Sequence, residues 1–435
     1  MQADIGFGQV LDYLALDPQT RGILLYVEGI EDSREFVSGL RVAARFKPVI
    51  VVKAGRHEAG SKAAMSHTGS LVGADDVFEA ALRRAGAVRA MSIEQLFAAA
   101  ELLSSHHRVG GNRLGVVTNA GGPGVMAADR AAELGVAIPD LTEKAITRLN
   151  EALPSAWSHA NPVDILGDAT SDRYEAAVAA CLEDPDLDGV LVMLTPQAMT
   201  EPTEIAKGLA ERAGKAKKPV LTCWMGEQQV RAGRDLLSSK GVATFDSPEA
   251  SVEAFAYLAS HHANQKMLLH VPSPLSHTIA PDVEGARLIV EGCLAEGRKT
   301  LSTTESKAVL TAFGIPVMPG MEARSANEAL VAAQSVGCPV AMKIHSPQIT
   351  HKSDVGGVRL NISSAHDVRS VYRDVVEQAQ KAEPDADVRG VLVEKMFRRP
   401  HGRELLVGVI RDPVFGPVVT FGAGGTEVEI LRDRA

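Results

Sequence analysis

Residues 114–125 read Leu-Gly-Val-Val-Thr-Asn-Ala-Gly-Gly-Pro-Gly-Val. An apolar run, Leu114–Thr118, stands directly before three glycines and a helical pattern that continues through Leu134. Such a run predicts a buried strand, glycines let the backbone approach an anion closely, and Pro123 suits the first turn of a helix. A plain tight turn would use the same glycines. Either way, the order strand, glycine turn, helix predicts a parallel α/β domain.

The same alternation extends in both directions from this stretch. Upstream and downstream, short apolar runs alternate with helical patterns, which is typical of parallel sheets covered on both faces. We therefore predict two doubly wound domains, residues 1–108 and 109–263. The predicted strands are 22–27 and 48–53 in the first domain and 114–118, 189–194, 219–223 and 242–244 in the second.

A Pro-, Ser- and His-rich stretch, 264–282, predicts a linker to a third domain, 283–435. The third domain reads as a mixed α+β sheet. Its predicted strands are 339–344, 358–362, 391–395 and 404–409, and a glycine-rich turn is predicted at 421–425. Because such turns normally join two ordered elements, we expect the chain to be the central part of a longer protein.

Composition excludes several classes of protein. Hydrophobic residues make up 45% and charged residues 23% of the 435 residues, so the chain is neither disordered nor collagen-like. The net charge of −9 argues against nucleic acid or a membrane surface as partner. The four cysteines lack metal-binding spacing and predict buried thiols in a reducing cytoplasm.

The histidine in Gly60–Ser70 is the first candidate for chemistry. Ser66, Thr68, Gly69 and Ser70 surround His67, and small hydroxyl and glycine residues can enclose a tetrahedral anion. An imidazole held there can attack a phosphoryl group and carry it as phosphohistidine. The structural alternative is a polar loop whose histidine caps the next helix.

Carboxylates near predicted strand ends are further candidates. Glu28 ends the first strand, where ligands of open α/β sheets gather, and can orient the His67 imidazole. A solvated strand end is the alternative for Glu28. Asn161–Asp164 predicts a turn; Asp164 can touch the glycine turn, although a structural role is favoured.

The third domain contributes a possible nucleotide site. Lys343 ends an apolar strand and can meet a phosphate, with a surface lysine as the alternative. His351 lies in a polar, glycine-ended loop that is otherwise a hairpin tip. Glu394, Met396 and Glu404 lie on or beside strands, where they can hold a base and ribose.

These motifs together resemble the NDP-forming acyl-CoA synthetases, relatives of succinyl-CoA synthetase. The resemblance extends over nearly the whole chain. The motifs on which the resemblance rests are Ser66–Ser70, Thr118–Gly124, Asn161–Asp164, Lys343–Pro347, His351–Val358, Asp412–Pro417 and Phe421–Gly425.

The resemblance implies two flavodoxin-like domains followed by a partial ATP-grasp domain. It implies phosphorylation of His67 supported by Glu28, with His351 relaying the phosphoryl group to a nucleotide at Lys343, Glu394 and Glu404, beside Met396. Phosphate would be held by the residues around His67 and by those of the glycine turn: Ser66, Thr68, Gly69, Ser70, Asn119, Gly121, Gly122 and Gly124.

The resemblance further implies ATP or ADP and Mg²⁺ as cofactors, coenzyme A as substrate, and an oligomer. The CoA-binding fingerprint of these enzymes and their magnesium ligands are not found in this sequence, so we expect them outside it. The expected reaction converts acyl-CoA, phosphate and ADP into a carboxylic acid, CoA and ATP. Two alternatives are the regulatory region of a protein lysine acetyltransferase and a non-catalytic acyl-CoA or nucleotide sensor.

Overall fold

The computed structural model divides the chain into two compact units. The first comprises residues 1–271 together with 405–435, and the second residues 272–404. None of the helices that the structure describes is long and apolar enough to span a membrane. The described residues are 4–57, 74–104, 108–271, 280–349, 351–397, 399 and 401–425.

The first sheet has three parallel strands in the order β1-β2-β3. All five residues of β2 are buried, because helices cover both faces of the sheet. Asp32 caps the second helix by accepting hydrogen bonds from Arg34 N and Glu35 N. The elements are α1 (Phe7–Leu16), β1 (Ile23–Val27), α2 (Ser33–Phe46), β2 (Val49–Lys53), α3 (Asp75–Arg84), β3 (Val88–Ala90) and α4 (Ile93–Ser104).

The second sheet has five parallel strands in the order β5-β4-β6-β7-β8. In chain order this is 2-1-3-4-5, the flavodoxin arrangement, in which the strand order reverses between β4 and β6. The elements are β4 (Leu114–Thr118), α5 (Gly121–Glu133), α6 (Glu143–Ala152), β5 (Val163–Asp164), α7 (Ser171–Glu183), β6 (Gly189–Leu194), α8 (Pro202–Ala213), β7 (Val220–Trp224), α9 (Arg231–Ser239), β8 (Thr244–Phe245) and α10 (Pro248–Leu269).

One hydrophobic core joins the two parallel sheets. Ile50 and Val52 of β2 belong to the same buried cluster as Leu114 and Val116 of β4, with side chains of α4, α5 and α10 between them. Separate clusters fill the far face of each sheet. The shared core explains why both parallel sheets lie in one compact unit; the predicted domain bounds at 108 and 263 stay predictions.

A two-stranded antiparallel hairpin from late in the chain also belongs to the first unit. It consists of β13 (Leu405–Asp412) and β14 (Gly416–Ala423). At its tip, the Phe415 ring meets Phe78 of α3 edge-on, with 6.3 Å between ring centroids. The Asp412 carboxylate accepts a hydrogen bond from Ala74 N at 3.0 Å. The hairpin tip therefore packs against the start of α3.

The second unit contains a four-stranded antiparallel sheet in the order β11-β10-β12-β9. Its apolar face packs against two helices, α13 and α14, in a separate core. The elements are α11 (Val283–Ala295), α12 (Thr303–Ala312), β9 (Gly320–Ala323), α13 (Ala326–Val336), β10 (Val340–His345), β11 (Val358–Ile362), α14 (Ala365–Ala382) and β12 (Gly390–Lys395).

The predicted α/β architecture with parallel sheets is confirmed, and the differences lie in short or glycine-containing elements. Val163–Asp164 is a strand rather than part of a turn, because it pairs with the end of β4. Phe421–Ala423, predicted within a glycine-rich turn, continues β14. The glycines from Gly121 onward form the first turn of α5 rather than a turn before it. Strands β3 and β9 were not predicted, since each has four residues or fewer.

We expect Leu191→Ala to destabilise the first unit by about 2–5 kcal/mol, because Leu191 is fully buried in β6 and its loss leaves a cavity. Leu16→Ala is the matched control, since Leu16 is 76% exposed at the end of α1. Urea unfolding followed by circular dichroism measures both. Equal midpoints for the two variants would contradict the assignment of β6 to the core.

Candidate functional site

The crevice at the carboxyl ends of β4 and β6 is held by one buried amide. Asn119 is 1% exposed and directly follows β4. Its Oδ1 accepts a hydrogen bond from Thr195 N at 2.8 Å, and its Nδ2 donates to Thr195 O at 2.8 Å. Because Thr195 directly follows β6, this reciprocal pair ties together the two strands between which the order reverses. Ligands of open α/β sheets bind at such a point.

The start of α5 opens onto this crevice. Ala120 is extended, and among the described residues no side chain caps the helix. Gly121 and Gly122 are exposed, and a side chain at Gly122 would meet nothing within 4 Å. Gly124 differs, since a Cβ there would lie 3.3 Å from Thr118 Cγ2. Gly124 thus permits close packing of the helix on its strand, whereas the first two glycines leave the first turn of α5 exposed.

The motif Asn161–Asp164 borders the same crevice. The Asn161 amide accepts a hydrogen bond from Val116 N and donates to Leu114 O, each at 3.0 Å. It therefore continues the backbone pairing at the side of β4, a structural role that differs from the predicted turn. Asp164 Oδ1 accepts from Leu166 N, and its Oδ2 would lie 3.3 Å from a Cβ at Gly121. The predicted proximity of Asp164 to the glycine turn is present.

Glu28 lies directly after β1, at the carboxyl edge of the first sheet, and is half-buried. Desolvation raises the pKa of Tyr26, and so does the negative charge of Glu28 two residues later. On the neighbouring strand, Lys53 pairs in register with Val27. Glu28 and Lys53 thus end adjacent strands on the same edge of the sheet.

Sequence reasoning missed a charged cluster around Lys53. Lys53 Nζ lies 3.5 Å from Asp75 Oδ1 and 5.1 Å from the centre of the Phe78 ring. Arg89 Nη2 donates to the same Asp75 oxygen at 2.6 Å. Burial lowers the pKa of Lys53, as does Arg89, against the opposing charges of Asp75 and Asp412. The signal available in the sequence was a lysine ending a buried strand.

His67 and its neighbours Ser66, Thr68, Gly69 and Ser70 lie outside the described residues. Their predicted roles therefore rest on the sequence. The described chain ends at His57 on one side of this segment and resumes at Ala74, where Asp412 contacts the backbone.

In the second unit, Lys343 and Glu394 form an ion pair. In the antiparallel pair of β10 and β12, Ala341 lies opposite Glu394. Lys343, two residues after Ala341, is on the same face of the sheet, and its Nζ lies 2.5 Å from Glu394 Oε2. Lys307 of α12 bonds the other oxygen, Glu394 Oε1. Burial raises the pKa of Glu394, but the hydrogen bonds from Lys307 and Lys343 outweigh it and hold the pKa below its ordinary value. Lys307 was not predicted.

The other predicted nucleotide and relay residues are spread over the second unit. Met396 follows β12, and its backbone N–H donates to Pro339 O at 3.0 Å. His351 is exposed in the turn before β11, where its carbonyl accepts from Asp354 N. Glu404 is exposed directly before β13. Of the four predicted nucleotide residues, the structure brings only Lys343 and Glu394 into contact.

A cavity of about 620 Å³ lies in the second unit, lined by the end of β10, by Glu322 of β9, by Arg389 directly before β12 and by the start of α12. His345, two residues beyond Lys343, lines it and faces Glu322 at 3.7 Å. Lys352 Nζ lies 3.5 Å from Thr303 Oγ1 on the same wall. Within the described ranges, no group of three or more His, Cys, Asp or Glu residues has the geometry to hold a metal ion.

Three family models match successive parts of the chain. A succinyl-CoA ligase like flavodoxin domain matches residues 1–103, a ligase-CoA domain 114–272 and an ATP-grasp domain 292–435. These matches confirm the predicted flavodoxin-like and ATP-grasp domains.

Relatives match over almost the entire chain. The ADP-forming acetate–CoA ligase I of Archaeoglobus fulgidus is 39% identical over 423 residues, which are 97% of this chain and 60% of that protein. The ADP-forming 4-hydroxybutyrate–CoA ligase of Nitrosopumilus maritimus is 33% identical, over 98% of this chain and 60% of its own length. A structure of dinucleotide forming acetyl-coenzyme A synthetase 1 from Ca. Korarchaeum cryptofilum, with phosphate and ADP, aligns with a TM-score of 0.57 and 34% identity, covering 61% of this chain and 59% of that one.

The chain is homologous over most of its length to ADP-forming acyl-CoA ligases, as its motifs predicted. It spans about 60% of the length of these relatives.

We expect Asn119→Ala to destabilise the first unit by about 2–4 kcal/mol, since both hydrogen bonds that tie β4 to β6 are lost together. Hydrogen exchange at Thr195 N should accelerate in the same variant. Asn112→Ala is the control, because exposed Asn112 donates only to Gly135 O among the described contacts and should cost about 1 kcal/mol or less. Unchanged exchange at Thr195 would show that the amide does not hold the crevice.

We expect the second unit to lose stability on acidification through Glu394. Its folded pKa lies below the ordinary value of 4.5, so its contribution is present above pH 4.5 and disappears as the pH falls through the folded pKa. The difference in unfolding free energy between wild type and Glu394→Gln should therefore shrink between pH 6 and 3. Glu377→Gln, on the exposed face of α14, is the control and should change the unfolding free energy little. A constant difference for Glu394→Gln would refute the ion-pair assignment.

Proposed function

We propose that this chain carries the phosphoryl-transfer part of an ADP-forming acyl-CoA synthetase. Its reaction interconverts acyl-CoA, phosphate and ADP with a carboxylic acid, CoA and ATP. The observation that carries the proposal is the anion-accepting start of α5, which lies where the flavodoxin-like sheet reverses its strand order. Relatives named as ADP-forming CoA ligases support it.

The reaction proceeds in three steps. An oxygen of inorganic phosphate attacks the thioester carbonyl, and the sulfur of CoA leaves and takes a proton. An imidazole nitrogen of His67 then displaces the carboxylate from the acyl phosphate and becomes phosphohistidine. Finally the phosphoryl group passes to ADP, which restores the neutral imidazole. Covalent capture divides one transfer between distant substrates into shorter transfers.

The chain's own residues supply binding and orientation for these steps. The N–H groups of Gly121 and Gly122, together with Ser66, Thr68, Gly69 and Ser70, bind the phosphoryl oxygens. Gly124 permits the close approach of α5, and the Asn119 amide positions the crevice through its two hydrogen bonds to Thr195, with its second N–H left to donate to phosphate. Glu28 orients the His67 imidazole.

The nucleotide is held in the second unit. Lys343 binds a phosphate of ADP or ATP, and Glu394 holds Lys343 in place. Met396 and Glu404 contact the base and ribose, and exposed His351 relays the phosphoryl group towards the nucleotide. Mg²⁺ would neutralise the nucleotide phosphates. We further propose that the enzyme is cytoplasmic, as the cysteine pattern predicts, and oligomeric, as the resemblance implies.

The test is phosphorylation of the full-length protein by γ-labelled ATP and magnesium. We expect an acid-labile, base-stable label that Lys343→Met reduces and His67→Ala strongly reduces, because the imidazole of His67 is the final acceptor and only label held on the relay His351 can remain. His366→Ala, on the exposed face of α14, is the matched control and should label fully. Circular dichroism verifies that the variants fold.

Undiminished labelling of His67→Ala would overturn the assignment of the acceptor. Binding of ADP with neither label nor thioester-dependent ATP formation would instead favour the sensor alternative.

A further inference from the structure

A second cavity, of about 270 Å³, lies at the opposite edge of the first sheet from Glu28 and Lys53. The last turn of α2, the residues leading into β2, the segment before β4 and one face of α10 enclose it. Because β2 rises about 3.3 Å per residue, its five residues separate this cavity from the carboxyl edge by about 16 Å. The lining residues are Ala44, Arg45, Phe46, Lys47, Pro48, Arg108, Val109, Leu258, His261, His262 and Gln265.

All ionisable side chains that line this cavity in the described part of the chain are basic. Lys47 directs its ammonium group at the carbonyls of Leu14 and Asp17, so its charge is already engaged. Arg45 and Arg108 are exposed and form no ion pair with any described residue. A cluster of unpaired cations is unusual in a chain of net charge −9, because acidic partners are plentiful.

The histidines of α10 experience this unbalanced charge. Burial, Arg108 and the neighbouring His262 together lower the pKa of His261 to about 4. Arg45 and Lys47, on the facing elements, add positive charge of the same sign. Gln265 ties the wall together by donating from Nε2 to Ala44 O at 2.9 Å and to Gly86 O at 3.2 Å. These two bonds hold α10 against α2, and the described lining of the cavity includes no acidic side chain to pair with its cations.

We propose that this cavity is a binding site for a small phosphate-bearing anion, separate from the catalytic crevice. Arg45 and Arg108 supply guanidinium groups, which match phosphate oxygens bidentately. His262 and, once protonated, His261 donate from the α10 side. The supporting geometry lies entirely within the first unit and is independent of the proposed function.

The site-specific readout is the ring signal of His261 in NMR spectra of the full chain. Inorganic phosphate, pyrophosphate and AMP serve as probes and distinguish a free anion from a nucleotide-borne phosphate. We expect at least one of them to shift this signal saturably, and Arg45→Gln/Arg108→Gln to weaken that binding at least tenfold, since both charge partners are lost. Arg41→Gln, one turn earlier on α2 and outside the cavity, is the control and should change affinity less than twofold.

A second measurement uses sulfate, whose charge does not change between pH 8 and 5.5. A bound dianion offsets the positive neighbours and returns the pKa of His261 towards its ordinary value, so sulfate should bind about tenfold more tightly at pH 5.5 than at pH 8. No saturable shift of the His261 signal with any probe would overturn the proposal. Equal affinities in wild type and the double variant would overturn it as well.

Discussion

The reciprocal hydrogen bonds between Asn119 and Thr195 are the contact on which the crevice depends. The side-chain amide of Asn119 bonds both the N–H and the C=O of Thr195. These bonds lie between β4 and β6, where the strand order of the sheet reverses. Without this tie, the backbone groups beyond β4 and β6 would need other partners or water. The start of α5 has a defined position because the strand that precedes it does.

The central strands of the parallel sheets were predictable because they are buried on both faces. Leu114–Thr118 and Gly189–Leu194 are runs in which every residue is buried, so the apolar run in the sequence and the strand coincide. Val163–Asp164 was not predictable, since two residues carry no periodicity and pairing with β4 alone makes them a strand. Tertiary pairing decides such short elements.

The residues of the candidate site were likewise predictable only in part. Glu28 was identified because a parallel strand places its final side chain at the edge of the sheet. Lys343 was identified as a cation in an apolar run, but it does not end the strand as predicted, since β10 continues to His345. Partnerships between distant residues were not identified: Lys307 reaches Glu394 across 87 positions, and Asn119 reaches Thr195 across 76. No local sequence pattern shows which distant residue a side chain will bond. The ion pair of Lys307 with Glu394 and the hydrogen bonds of Asn119 with Thr195 therefore became apparent only from the fold.

The hairpin tip at Asp412 and Phe415 has a consequence for synthesis of the chain. Asp412 lies 338 residues after Ala74, to which it bonds. At about 5–20 residues per second, the ribosome needs roughly 20–70 s to make the intervening polypeptide. During that interval the Phe78 ring lacks its contact with Phe415, and the Ala74 N–H lacks its hydrogen bond to Asp412. The nascent first unit therefore completes its surface long after its own sheets have been translated.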